Sequence, residues 1–192
     1  MQNFNAAPSV FAFCMLLILT SCSTIKSQPS YCLTDAMPGI QWENCDKTLK
    51  VFEQLDLTGA NLKGTSFKLS VMQNAKLANV EAQNASFKLS VLEEAVFDSA
   101  KLDAADFTMS ICQSASFKGA DLQGAIFNKA VLENVDFTAA TLDAANFNNS
   151  ILKGANFTGA SIEDATFKHA ILEEAIWVDG RICGEGSIGF CK

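Results

Sequence analysis

The sequence predicts an all-β solenoid, in which the chain winds into stacked coils with four short sides each. The first observation is a period of five: from Leu57 to Trp177 a central residue recurs 25 times without an insertion, as Leu ten times and as Phe ten times. The second is a small residue two positions earlier, which is Ala in 17 of the 25 cases. The third is a slower period of 20 residues in the placement of Phe.

The period of five requires the chain to turn within every repeat. On a helix, five residues advance by about 140°, which would spread the apolar residues around the axis, and in a strand an odd period would move them from face to face. Phe returns every 20 residues in one column, at Phe67, Phe87, Phe107, Phe127, Phe147 and Phe167. Four pentapeptides therefore complete one coil, which explains why the hexapeptide SFKLSV occurs at both 66–71 and 86–91.

Short motifs in this register resemble those of a known family. AKL, ADF, ADL, ANF and GAN recur along the chain and resemble the A(D/N)LXX pattern of pentapeptide-repeat proteins. The resemblance implies a right-handed quadrilateral β-helix over residues 51–179, with the small and central residues pointing inward and the other three outward. About six coils, spaced by about 4.8 Å, would form a rod roughly 30 Å long. Each buried Leu or Phe contributes about 1.5 to 3 kcal/mol, so the interior can hold the rod together.

Residues 1–21 are interpreted as a signal peptide. They carry no charged side chain and contain the apolar run VFAFCMLLIL at 10–19, which is too short for a comfortable membrane span. The next cysteine follows Leu-Thr-Ser, which resembles the lipobox of bacterial lipoproteins and implies that Cys22 is acylated. The alternative is an ordinary signal peptide. The basic residues that normally begin a signal peptide are missing, since the first basic side chain is Lys26.

Residues 22–50 are expected to form the lipidated N-terminus, a tether and an N-terminal cap. Ser23, where Asp would favour the inner membrane, implies by the same resemblance an outer-membrane lipoprotein. The periplasmic side is the expected orientation, and the cell exterior is the alternative. The tether from Ser23 to Ser30 spans roughly 27 Å at most, at about 3.4 Å per residue. The lipid bilayer, reached through acylated Cys22, is therefore one expected partner.

Two pairs of cysteines flank the repeats, and an exported protein meets an oxidising compartment. Cys32 and Cys45 precede the first coil, while Cys183 and Cys191 lie in the expected C-terminal cap, 180–192. Four cysteines permit three pairings. Because a disulfide needs Cα atoms within about 7 Å, ends that are 30 Å apart cannot be bridged. We predict Cys32 with Cys45 and Cys183 with Cys191, unless a terminal segment folds back along the rod.

The sequence offers no constellation for catalysis, a metal or a cofactor, so we predict that the protein is not an enzyme. His169 is the only histidine and is expected to be a solvated surface residue. Cys112 occupies a central, inward position and is interpreted as a core thiol. Four serines at small, inward positions have no base nearby and are interpreted as core residues: Ser70, Ser90, Ser110 and Ser150.

One outward column of the rod is apolar, and it is the candidate interface. Its six members are β-branched, whereas only three of 19 equivalent positions on the other faces are aliphatic. We name this column the apolar stripe: Val71, Val91, Ile111, Val131, Ile151 and Ile171. The bland explanations are that β-branched residues suit strands, or that a terminal segment such as 28–50 covers them. The sharper prediction is an interface for a protein partner or for a homodimer.

The predicted function is a membrane-tethered, non-enzymatic binding or scaffolding module. The formal net charge of -7 argues against binding nucleic acid, which requires basic patches. The alternative function is a DNA mimic that binds a DNA-processing enzyme, because the resemblance extends to cytoplasmic members that protect DNA topoisomerases with acidic surfaces. Export, and lysines interleaved with the acids on several faces, argue against that alternative.

Overall fold

The computed structural model describes residues 28–192, and the chain there forms a right-handed, four-sided β-helix. Its coils are joined by parallel bridges between residues 20 apart, from Gln41↔Asn61 to Asn156↔Ile176. Each side contributes one bridging residue, and these residues recur every five positions from 41 to 176. The rod therefore has seven coils, where the sequence predicts about six. Over the described residues, the one helix is a 3-10 helix at Ser30–Leu33.

The corners of the coils explain how a period of five is built. From Asn44 to Glu174, every fifth residue is in the left-handed region, with φ between 53° and 69°. This conformation turns the chain between one side and the next. It costs a residue other than glycine roughly 1 kcal/mol, and Asn tolerates it better than most. The corner positions are therefore the places where the fold restricts the choice of outward residue.

The interior is packed as the pattern of inward and outward positions in each pentapeptide predicts. Every central residue from Leu57 to Phe157 has no exposed surface. The Phe column stacks, and the ring of Phe107 lies 4.9 Å from that of Phe87 and 4.8 Å from that of Phe127. A second Phe column meets the first edge to face, with Phe117 5.6 Å from Phe107. The core is thus one continuous aromatic and aliphatic stack along the rod.

The coils begin ten residues before the boundary that the sequence predicts at residue 51. Counting back in steps of five from Leu57 places Phe52, Lys47 and Trp42 at central positions, and Trp42 is 1% exposed. Lys47 is also buried, at 7% exposed, although its charge breaks the apolar pattern. Its ammonium group donates a hydrogen bond to the Cys32 carbonyl oxygen at 2.6 Å and lies 3.5 Å from the centre of the Trp42 ring. Burial lowers the pKa of Lys47.

The two ends of the rod are closed by the segments that carry the cysteine pairs. At the C-terminal end the chain reverses and forms the antiparallel bridges Ile176↔Ile182 and Ile171↔Ile188 with the last coil. The amide of Leu172 donates to the Ser187 carbonyl oxygen at 2.8 Å, so the backbone of the last coil is paired. At the N-terminal end, the 3-10 helix lies beside Lys47. Both ends are therefore covered, as a solenoid requires.

Candidate functional site

The apolar stripe runs along one side of the rod as a ladder of neighbouring residues. Parallel bridges join its members in order, from Val71↔Val91 to Ile151↔Ile171. The ladder also extends past both ends of the predicted column, because Val51 bridges Val71 and Ile188 bridges Ile171. Four of the six predicted residues are half-buried by their neighbours, and Ile111 and Ile171 are more than one third exposed. The side chains point away from the core.

A second apolar column borders the stripe at the corner before it. Its four members are between 45% and 70% exposed, and all have φ between 57° and 60°: Leu49, Leu69, Leu89 and Met109. At the other three corners, the left-handed positions hold small or polar residues. The left-handed conformation is unfavourable for large aliphatic side chains, and their exposed surface adds no free energy of burial to the fold. We call this column, together with Val51, Val71, Val91 and Ile111, the apolar face.

The opposite edge of the same side is polar and alternates between Glu and Gln over its first five coils. Gln73 donates to Glu93, and Gln113 donates to Glu133, so each of these hydrogen bonds links two neighbouring coils. We call this column the acidic edge, and over those coils it consists of Glu53, Gln73, Glu93, Gln113 and Glu133. The side of the rod is therefore apolar along one half of its width and acidic along the other.

The terminal segment 28–50 does not cover the apolar face, although it contributes Leu49 to it. Leu49 and the adjoining Val51 are 70% and 68% exposed. The segment instead sits on the end of the rod, where the Gln28 side chain donates to the Asp46 carbonyl oxygen at 3.0 Å. The alternative in which this terminal segment shields the stripe is therefore wrong for the described part of the chain.

The four cysteines at the two ends of the rod form the two pairs that the sequence predicts. Cys32 and Cys45 are bonded with Cα atoms 5.5 Å apart, and Cys183 and Cys191 with Cα atoms 4.9 Å apart. Each bond joins residues at one end of the rod, so the described residues 28–192 contain no disulfide between the two ends. Cys22 lies outside the described residues, as do residues 1–21, and its acylation stays a prediction.

The remaining candidate residues occupy structural positions. Cys112 is fully buried, and burial raises the pKa of its thiol to about 12, which keeps it protonated. The core serines donate to the backbone three residues earlier, as Ser110 does to the Phe107 carbonyl oxygen at 2.8 Å. His169 is exposed. Within residues 28–192, no group of three or more side chains could hold a metal ion, and no helix is long and apolar enough to cross a membrane.

Charged residues on the other sides form pairs between coils. The carboxylate of Glu81 lies 2.5 Å from the Lys63 ammonium and 2.9 Å from that of Lys101. Hydrogen bonds from Lys63, which has the larger effect, and from Lys101 lower the pKa of Glu81 to about 2. Lys88 similarly approaches Asp106 at 2.8 Å. The acids are therefore interleaved with lysines here instead of forming one anionic stripe.

Sequence reasoning missed the residues that extend these features. Trp42, Lys47 and Phe52 continue the period of five, and counting backwards from Leu57 would have found them. Lys47 hid the signal because a charged residue is rarely placed in a core. Val51 could have been found in the same way, since it precedes Val71 by one coil.

Comparison with known proteins places the repeats in one family. The model described as a pentapeptide repeat region matches residues 90–167, and the model of eight pentapeptide repeat copies matches residues 70–108. A pentapeptide repeat protein from the thylakoid lumen of Arabidopsis thaliana is similar, with 27% identity and a TM-score of 0.51 over 52% of this chain and 69% of that chain. No curated protein matches the sequence significantly.

Two further solved structures are more distant. HetL, a pentapeptide repeat protein involved in heterocyst differentiation regulation in the cyanobacterium Nostoc, is 24% identical, with a TM-score of 0.40 over 77% of this chain and 72% of that chain. QnrB1, a plasmid-mediated fluoroquinolone resistance protein, is 21% identical, with a TM-score of 0.37 over 76% of this chain and 78% of that chain.

Proposed function

Because the chain belongs to the pentapeptide-repeat family, we propose that it is a non-enzymatic binding or scaffolding module, tethered to a membrane through acylated Cys22. The apolar face is the observation that carries this proposal. It lies on a closely packed solenoid, and its four corner residues are exposed and have a left-handed conformation that does not favour large aliphatic side chains. A contiguous apolar patch of several hundred Å² on a soluble surface usually marks an interaction site.

The stacked core supports a scaffolding role. Backbone hydrogen bonds join each coil to the next, such as the one from the Leu92 amide to the Ile111 carbonyl oxygen at 2.7 Å. The distance between outward residues of neighbouring coils is therefore fixed by the backbone. A partner would therefore meet a preformed surface and would pay little ordering entropy on binding. Rigid, extended faces of this kind are how solenoid proteins present binding surfaces.

The charge distribution favours this function over a DNA mimic. A mimic of nucleic acid needs a continuous row of uncompensated negative charge. The acid Glu81 is neutralised by two lysines, and Lys118 lies 3.2 Å from Asp136 on another side. The acidic edge is itself interrupted by Gln73 and Gln113.

The proposed tether would keep the apolar face close to the bilayer. Gln28 follows Cys22 by six positions, and its side chain is bonded to the Asp46 carbonyl oxygen at the end of the rod. Six residues reach about 20 Å when extended. With Ser23 after the acylated cysteine, we propose the periplasmic side of an outer membrane as the location.

Replacing Cys22 by alanine tests the tether. In cells labelled with radioactive palmitate, the wild-type chain should take up label and sediment with the envelope, whereas Cys22→Ala should lose the label. The matched control is Cys14→Ala, which removes a cysteine from the expected signal peptide and should leave labelling unchanged. A wild-type chain that is soluble and unlabelled would overturn the lipoprotein proposal.

A further inference from the structure

We infer that the apolar face binds a second copy of this chain, with the two rods antiparallel and related by a twofold axis that crosses the face between Val71 and Val91. The inference deepens the proposed function by naming the partner, and it rests on that function in one respect: a shared membrane raises the local concentration of the two copies. Three features of the face lead to it: its strained apolar corner, its internal symmetry and its acidic edge.

The corner column indicates a surface selected for contact. Leu69 and Leu89 have φ of 57° and are 49% and 50% exposed. A left-handed conformation is unfavourable for leucine, and a side chain left in water contributes no free energy of apolar burial. The fold imposes this conformation at every corner but does not require a large apolar residue there, so leucine at two successive corners of one column is a reason to look for function. Burying this column against another apolar surface would supply that benefit.

The apolar face is complementary to itself. A twofold interface requires that, if one residue contacts a second across the axis, the second contacts the first. An axis between the coils of Val71 and Val91 brings Leu69 of one copy to Leu89 of the other. One coil further out, it brings Leu49 to Met109. The stripe then matches in the same way, so that every apolar residue of the face meets another apolar residue.

The acidic edge selects the position of this axis. With the axis between the two coils, Gln73 of one copy meets Glu93 of the other, and Glu53 meets Gln113. An amide can donate to a carboxylate, so both pairs are complementary. Moving the axis by half a coil would place Glu93 against its own copy, or Glu53 against Glu93. Like charges brought together at an interface are unfavourable, so the alternation of Glu and Gln excludes an axis displaced by half a coil. A displacement by a whole coil toward the C-terminus would bring Leu69 against Lys129, so the extent of the apolar column completes the choice of register.

Parallel rods would fit less well. An axis along the rod exchanges the two edges of the face, so Leu89 of one copy would meet Glu93 of the other and Leu49 would meet Glu53. Each contact would take a carboxylate out of water without supplying a hydrogen-bond donor across the interface. Apolar burial and polar pairing therefore both favour the antiparallel arrangement.

The size of the contact makes the dimer weak in dilute solution. Four coils at about 4.8 Å, across a side about five residues wide, cover roughly 300 Å² of each copy. A stable interface typically uses about 800 Å² per partner. Association should therefore depend on the high effective concentration that two tethered copies share.

Cysteine crosslinking in the full-length chain tests the arrangement. Val51 and Ile111 lie three coils apart, or about 14 Å, and the proposed axis places Val51 of one copy opposite Ile111 of the other. In isolated envelopes treated with a short bismaleimide, Val51→Cys with Ile111→Cys should give a crosslinked dimer. Either substitution alone should give none. The buried Cys112 thiol should not react, because burial raises its pKa to about 12.

Controls distinguish the possible results. Asn61→Cys with Asp121→Cys has the same spacing on the opposite side of the rod and should give no dimer. Crosslinked dimers from either single substitution would show that the rods are parallel. Absence of a dimer from the double variant would show that no second copy binds the apolar face. Either result overturns the inference. Sedimentation of the same chains reports the tether separately. An envelope-bound chain without dimers refutes only this inference, and a soluble chain that still forms the dimer refutes only the tether.

Discussion

Phe107→Ala is expected to lower the free energy of unfolding by about 3 to 5 kcal/mol, because the ring is fully buried in the middle of the rod. The substitution removes two stacked contacts, with Phe87 and Phe127, and two edge-to-face contacts, with Phe97 and Phe117. The backbone of each coil is bonded to both neighbours, so the cavity cannot collapse easily. Urea unfolding followed by circular dichroism measures the change.

Phe167→Ala is the matched control for that prediction. Phe167 belongs to the same column but lies in the last coil and is 9% exposed. It stacks on one ring of the column, Phe147, so its removal should cost less. Equal losses at the two positions, or a loss below about 1 kcal/mol at Phe107, would contradict a column whose stability depends on stacking along its length.

Ala105→Asp is expected to prevent folding. Ala105 is an inward residue with no exposed surface, and the interior around it is aliphatic and aromatic. A carboxylate there would have neither water nor a cation, and an uncompensated buried charge costs more than a domain of this size can lose. The variant should accumulate as an unfolded or aggregated chain, detected by the loss of its β circular dichroism.

Ala104→Asp carries the same substitution one residue earlier and should fold normally. Ala104 is exposed at a corner with φ of 53°, a conformation that Asp tolerates. Its free energy of unfolding should lie within about 0.5 kcal/mol of the wild-type value, as is usual for surface substitutions. If both variants folded, or if both failed, the alternation of inward and outward residues would be wrong at this coil.

The fold could be predicted because its signal is repeated in every coil. Each central position from Leu57 onward gives independent evidence for the same period, and the Phe column sets the number of sides. The start of the coils was missed, although the period of five continues there, because Lys47 places a charge at a central position. Its burial depends on the Cys32 carbonyl oxygen and the Trp42 ring, which are contacts that periodicity does not encode.

The candidate site was predicted only in part. The six residues of the apolar stripe follow from the outward position before each central residue. The strain at Leu69 and Leu89 does not, since it depends on a left-handed corner that the sequence pattern does not reveal. The alternation of Glu and Gln on the acidic edge is visible in the sequence. That this column lies on the same side of the rod as the apolar corner becomes clear only from the structure. The binding role of the stripe stays a prediction.

The most direct test of the interface is Val91→Glu with Val131→Glu, compared with Val96→Glu and Ile126→Glu on two other sides. All four substitutions place a carboxylate at an outward aliphatic position, so both double variants should fold with wild-type unfolding midpoints. We expect self-association or partner capture, measured by crosslinking of the full-length chain in envelopes, to be lost in the first double variant and kept in the second. A first variant that crosslinks like the wild type, or that unfolds, would contradict a free interface on the apolar stripe.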